Sequence, residues 1–204
     1  MSQPVWIVRL NRVDMITLSG VVTTSLAAVL VLSGHYWAGC GVLFIAMLGD
    51  ALDGWLARAW GLSSEFGRYL DSFMDTLMYL VVPALLLYRW GLQGWQGIPL
   101  LLMIACGSIR LSVFNQIGNI SNEQGQRAYL GMPVFWSPFI VAGILFLDLW
   151  LPVSVTQVIA DLAITLFSLC MLWHRPFFKF SSLRQMVTLT VGLAMLCFVA
   201  AWSC

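Results

Sequence analysis

Asp50-Ala-Leu-Asp53-Gly54-Trp-Leu-Ala57-Arg58, followed eight residues later by Gly67-Arg-Tyr-Leu-Asp71-Ser-Phe-Met-Asp75, is the stretch on which the reading of this chain turns. These four aspartates are among only nine acidic residues in 204, and they flank a short polar loop between two apolar runs. Asp50 and Asp53 are three apart and Asp71 and Asp75 four apart, so each pair lies on one face of its helix. If the two helices are antiparallel neighbours, the four carboxylates meet.

Bringing them together costs free energy. A charged side chain at mid-bilayer costs roughly 2.5–3.5 kcal/mol on insertion scales. Like carboxylates repel, so some are protonated or a cation stands between them. All-oxygen ligands favour hard divalent ions over zinc, and no His or Cys lies nearby to recruit a softer metal. One or two Mg²⁺-like ions, Mg²⁺ or Mn²⁺, fit best. The plainer alternative is four solvated charges capping helix ends.

Composition sets the class. The chain is 60% hydrophobic and 9% charged, against about 25% charged in soluble domains. It reads as an all-α integral membrane protein. A net charge of +1, with no basic block, gives no sign of a nucleic-acid partner. Cys40, Cys106, Cys170, Cys197 and Cys204 include no CxxC pair and read as packing residues.

In chain order, residues 1–14 read as a short interfacial helix, with Trp6, Ile7, Val8 and Leu10 beside Arg9 and Arg12. Seven apolar stretches follow, at 15–34, 36–60, 69–90, 98–117, 132–151, 155–173 and 183–202. The expected architecture is a polytopic bundle of six to seven transmembrane helices, a single domain over residues 1–204, with the signature-bearing helix pair at 36–90. With the amino terminus inside, Arg9, Arg12, Arg58, Arg68, Arg110, Arg127, Arg175, Lys179 and Arg184 fall inside and only Arg89 outside. That asymmetry fits the positive-inside rule and puts the aspartates near the cytoplasmic face of the cell membrane.

The pattern D-x-x-D-G-x-x-A-R, eight residues, G-x-x-x-D-x-x-x-D matches at eight positions over 26 residues. It closely resembles the signature of the CDP-alcohol phosphotransferases. The resemblance implies an enzyme that transfers a phosphatidyl group from CDP-diacylglycerol to a small alcohol with release of CMP. It also implies a homodimer among membrane lipids. By the same resemblance Asp50, Asp53, Asp71 and Asp75 hold divalent metal, and Asp75 takes the alcohol's proton. Gly54, Ala57, Arg58, Ser64 and Gly67 line the CDP site. Taken alone, the glycines also read as close-packing positions, Arg58 as an inside anchor, and Ser64 as a helix cap. Asp14 and Thr17 sit where many family members have an Asn-x-x-Thr start, from which Asp14 departs.

Arg110-Leu-Ser-Val-Phe-Asn115, with Tyr129-Leu-Gly131-Met-Pro133, resembles the R-L-A-R-F-N and F-x-G-L-P pattern of phosphatidylserine synthases of this class. His174-Arg175-Pro-Phe-Phe-Lys179 resembles their basic-aromatic loop. Arg110 and Asn115 become the candidate acceptor residues and L-serine the leading acceptor. Val113 replaces the second Arg of that pattern, so glycerol phosphate and inositol phosphate stay open, with Arg127 and Arg175 available to a basic pocket. Asp161 has no assigned role. A reading from another class, a divalent-cation transporter, uses the same carboxylates but leaves Gly54, Ala57, Arg58 and Gly67 in register without a purpose.

Overall fold

The computed structural model describes residues 8, 10–118, 120–121, 127–177 and 183–203. Among these, eight α-helices run in chain order: α1 Arg12–Leu32, α2 Tyr36–Ala59, α3 Glu65–Asp75, α4 Val82–Trp90, α5 Ile98–Ile117, α6 Ser137–Asp148, α7 Val153–Leu172 and α8 Leu183–Ser203. A π-helical turn, Thr76–Val81, joins α3 and α4 into one rod. Six stretches are long and apolar enough to cross a membrane: α1, α2, the α3–α4 rod, α5 with the turn before it, α7 and α8. This is a multi-pass membrane protein.

Most of the expected interfacial segment, residues 1–7 and Arg9, lies outside the described residues, as do Lys179 and Cys204. The first span starts at Arg12, three residues earlier than the hydropathy indicates. The cause is a capping box: the Asn11 side-chain oxygen accepts from the N–H groups of Val13 and Asp14 at 2.8 and 2.9 Å. In return the Asn11 N–H donates to the Asp14 carboxylate at 2.9 Å. The third span likewise starts at Glu65, before the expected residue 69, because the Ser64 hydroxyl accepts from the Gly67 N–H at 2.9 Å.

The bundle has two chemically different ends. At one, the start of α1 meets the α2–α3 loop through Asn11 Nδ2, which donates to the Leu62 carbonyl at 3.4 Å. At the other, the Tyr36 hydroxyl donates to the Arg89 carbonyl at 2.8 Å, and Gln157 Nε2 donates to the Gly91 carbonyl at 3.1 Å. Arg12, Arg58, Arg68, Arg127, Arg175 and Arg184 lie at the first end and Arg89 at the second. Exposed tryptophans mark both rims: Trp60 and Trp173 at the first, Trp95, Trp150 and Trp202 at the second. Between them Leu43, Phe44 and Met47 of α2 pack with Leu86, Leu87, Met103, Ile164 and Met171 in a fully buried core. Cys40, Cys106 and Cys197 are buried free thiols and Cys170 is half-buried.

The fifth apolar stretch departs from expectation. Instead of a full span over 132–151, the helical part is Val134–Asp148, about 22 Å at 1.5 Å per residue. Gly131 (φ 72°) and the extended Pro133 hold the chain out of helix, and Pro138 follows in the first turn. α6 still ends at the far rim, where Trp90 Nε1 donates to Asp148 Oδ2 at 2.9 Å. The chain just before this stretch is extended backbone in a small antiparallel sheet at the first end, which hydropathy does not reveal. Its strands are β1 Ile120–Ser121, β2 Arg127–Leu130 and β3 Pro176–Phe177, in the order β1-β2-β3.

Gly131 is held twice over. Its φ is left-handed, and a Cβ there would overlap the Met171 carbonyl oxygen. Gly131→Ala is therefore expected to lower stability by at least about 1–3 kcal/mol, read as a drop in thermal unfolding midpoint in detergent. An unchanged midpoint would mean that this junction is not held against α7.

Candidate active site

Two helices bring the carboxylates together. α2 carries Asp50 and Asp53 on one face, and α3 runs back antiparallel through the loop that Ser64 caps. One carboxylate oxygen from each of Asp50, Asp53 and Asp71 lies within 4.8 Å of the others. Asp53 is only 4% exposed; Asp50 and Asp71 are half-buried. Such an all-oxygen donor set, with no His or Cys in it, could hold a hard divalent cation. Asp75, one turn further along α3, lies outside that three-residue group but within charge–charge range of Asp50, Asp71 and the Arg110 guanidinium.

The other signature positions surround this group. A Cβ on Gly54 would sit 3.7 Å from Arg58 Nη1, so the guanidinium lies over the bare backbone of its own helix. Arg58 is also within charge range of Asp71. Gly67 has α1 against it: a Cβ would stand 3.0 Å from Ser64 Oγ and 3.1 Å from Asp14 Oδ1. Ala57 is half-buried and Ser64 exposed beside the loop. The cap at Asp14 thus does more than the departure from the family's start suggests. It seats α1 on α3, and Thr17 one turn on lines the same cavity as Asp53. A cavity of about 260 Å³ leads from Asp50 and Asp53 towards the middle of the bundle, between Gly20, Ala46, Gly49 and Met78.

Beyond Asp75, α5 contributes a second polar region. Arg110 is 6% exposed, and its Nε and Nη2 are buried with no hydrogen-bond partner among the described residues. The guanidinium carbon lies 5.2 Å from the Phe114 ring centroid and 5.4 Å from that of Tyr129, cation–π contacts that hold the group without satisfying its donors. Burial pushes the Tyr129 phenol above its ordinary pKa, with the neighbouring guanidinium pulling the other way. Asn115 Oδ1 accepts from the Ser72 hydroxyl at 3.0 Å, tying α5 to α3 next to Asp71.

Val113 is 37% exposed, so the guanidinium absent from that position would have sat at an open edge, not beside the buried Arg110. Arg175 is exposed, and the side chain of Arg127 lies outside the described atoms. Asp161 lies midway along α7, remote from the site, and its Oδ1 is buried without a hydrogen-bond partner among the described residues. Tyr79 has no place in the signature, yet its hydroxyl donates to Asp50 Oδ2 at 2.7 Å.

Comparison with known proteins places this geometry. The chain is 31% identical over 126 residues to the archaetidylserine synthase of Methanothermobacter thermautotrophicus, covering 59% of this chain and 52% of that one. It is 29% identical over 130 residues to the CDP-diacylglycerol–serine O-phosphatidyltransferase of Methanocaldococcus jannaschii, covering 64% and 58%. The phosphatidylcholine synthase of Pseudomonas aeruginosa is 29% identical over 161 residues, covering 75% and 65%. The matched segments span about half to two thirds of the length of these relatives. A family model described as CDP-alcohol phosphatidyltransferase matches residues 10–203. From the capping box at Asn11 to the end of α8, the chain belongs to the CDP-alcohol phosphatidyltransferase family.

Proposed function

We propose that this chain transfers a phosphatidyl group from CDP-diacylglycerol to a small alcohol, L-serine in the first instance, and releases CMP. The observation that carries the reading is the convergence of the three carboxylates with Asp75 and with Arg110, whose Nε and Nη2 have no hydrogen-bond partner among the described residues. A divalent ion, Mg²⁺ or Mn²⁺, held by Asp50, Asp53 and Asp71 would neutralise the donor's pyrophosphate oxygens. Asp75 accepts the proton from the alcohol as its oxygen bonds to the lipid phosphorus, and the bond from that phosphorus to CMP breaks. Arg58 holds phosphate oxygens, and Gly54, Ala57, Ser64 and Gly67 leave room for the nucleotide. The cavity below Asp50 suits the lipid half of the donor.

Arg110 narrows the acceptor. Nε and Nη2 form one edge of the guanidinium, the edge that grips a carboxylate or phosphate through two parallel hydrogen bonds. An acceptor with an anionic group satisfies it; choline does not. Two of the relatives above are named for serine and one for choline, so the family name leaves the acceptor open; Arg110 favours an anionic acceptor over choline, and the serine-named relatives put serine first among these. Asn115 borders the same space. Glycerol phosphate and inositol phosphate are the competing acceptors. The arginine-rich end faces the cytoplasm of the cell membrane in this reading, and the working unit is a homodimer.

The test is CMP release from CDP-diacylglycerol with Mg²⁺ or Mn²⁺ and a panel of serine, glycerol phosphate, inositol phosphate and choline. Serine-dependent release is expected. Arg110→Lys, keeping charge but not the fork, is expected to raise the serine KM about tenfold or more. No CMP with any acceptor, together with divalent-ion flux into liposomes, would replace this reading with the transporter.

A further inference from the structure

We infer that Tyr79 is a positioning residue for Asp50, held in place by a backbone device built from Pro83 and Ser137. The inference rests on the metal-binding role proposed above for the three carboxylates.

The device starts with proline chemistry. Pro83 has no N–H, so it cannot close the helical bond to the carbonyl four residues earlier, that of Tyr79. Tyr79 is 1% exposed, and a buried carbonyl without a donor is costly. Ser137, fully buried at the start of α6, supplies the donor: its hydroxyl bonds to the Tyr79 carbonyl. The same segment is the π-turn, where the Val82 N–H reaches back five residues to the Leu77 carbonyl. Gly107 of α5 lets the turn sit close, since a Cβ there would overlap Leu80.

The π-turn corrects a phase error. Asp71, Asp75 and Tyr79 follow at intervals of four, and four residues of α-helix overshoot a full turn by about 40°. The wider turn takes back that lead, so Tyr79 stays on the face of Asp71 and Asp75. Its hydroxyl then meets Asp50 Oδ2 at 2.7 Å across the helix pair. A phenol can donate and an ionised carboxylate can only accept, so the bond fixes the rotamer in which Asp50 faces Asp53 and Asp71. Supporting partners of this kind commonly tune metal affinity 10–100-fold.

The test compares wild type, Tyr79→Phe, Ser137→Ala and the double variant. Mn²⁺ binding is measured by calorimetry without lipid substrate, beside the divalent dependence of CMP release. Tyr79→Phe keeps the ring, so its unfolding midpoint is expected to match wild type. Its Mn²⁺ affinity is expected to fall about 10–100-fold, with kcat recovered at saturating metal and the KM for CDP-diacylglycerol unchanged. Ser137→Ala is expected to do the same more weakly, and to add nothing to Tyr79→Phe because it acts through it. Unchanged Mn²⁺ affinity in Tyr79→Phe, or a kcat loss that metal does not restore, would overturn the inference alone. A wild-type protein that binds no Mn²⁺ would overturn the metal reading as well.

Discussion

Asp75→Asn is expected to cut turnover by about 10²–10⁴-fold, the range general-base catalysis contributes, while leaving CDP-diacylglycerol binding nearly intact. The amide is the same size and keeps the helix packing, but it has no lone pair basic enough to take the alcohol's proton. In the proposed reaction Asp75 takes that proton, since it stands apart from the three clustered carboxylates and within charge range of Arg110. The acceptor's hydroxyl is therefore expected between the metal group and the guanidinium. Single-turnover CMP release, set against binding of the donor to the same preparation, separates the two effects. A variant with full kcat would remove Asp75 as the base.

Asp71→Asn is the second large effect, with a different signature. Asp71 comes from α3 while Asp50 and Asp53 come from α2, so it is the carboxylate that would join the two helices across a bound ion. Losing it is expected to weaken Mn²⁺ binding by more than the 10–100-fold typical of a supporting residue. CMP release should fall with it, and excess Mn²⁺ should restore it only in part. Chelation of the wild type should abolish release, and added Mg²⁺ or Mn²⁺ should return it. Wild-type turnover that survives chelation would sink the metal assignment.

The site was legible where chemistry and periodicity coincide. Asp50, Asp53, Asp71 and Asp75 announce themselves because acids are rare in this chain, and spacings of three and four place each pair on one face. Tyr79 was not legible. It is one aromatic in an apolar run, its partner is 29 residues away, and its direction depends on a π-turn that hydropathy cannot signal. In the sequence Asp14 reads as a departure from the family's start, although its spacing from Asn11 is that of a capping box. Six long spans followed from composition. The short α6 did not, because Gly131, Pro133 and Pro138 act through backbone angles while the residues around them remain apolar.

That short helix has a consequence for the surrounding lipid. α6 begins at Ser137, level with Tyr79, and runs only towards the far rim, with Gly143 and Leu147 exposed along its outer side. Its 12 residues make an apolar wall of about 18 Å, about 12 Å shorter than a typical hydrocarbon core of about 30 Å, and the shortfall is on the side of the aspartates. Lipids beside it thin locally or dip their headgroups, at a cost of fractions of a kcal/mol per Å. A bilayer that thins beside α6 would bring a phosphate-bearing headgroup down towards the depth of the acids without its acyl tails leaving the leaflet.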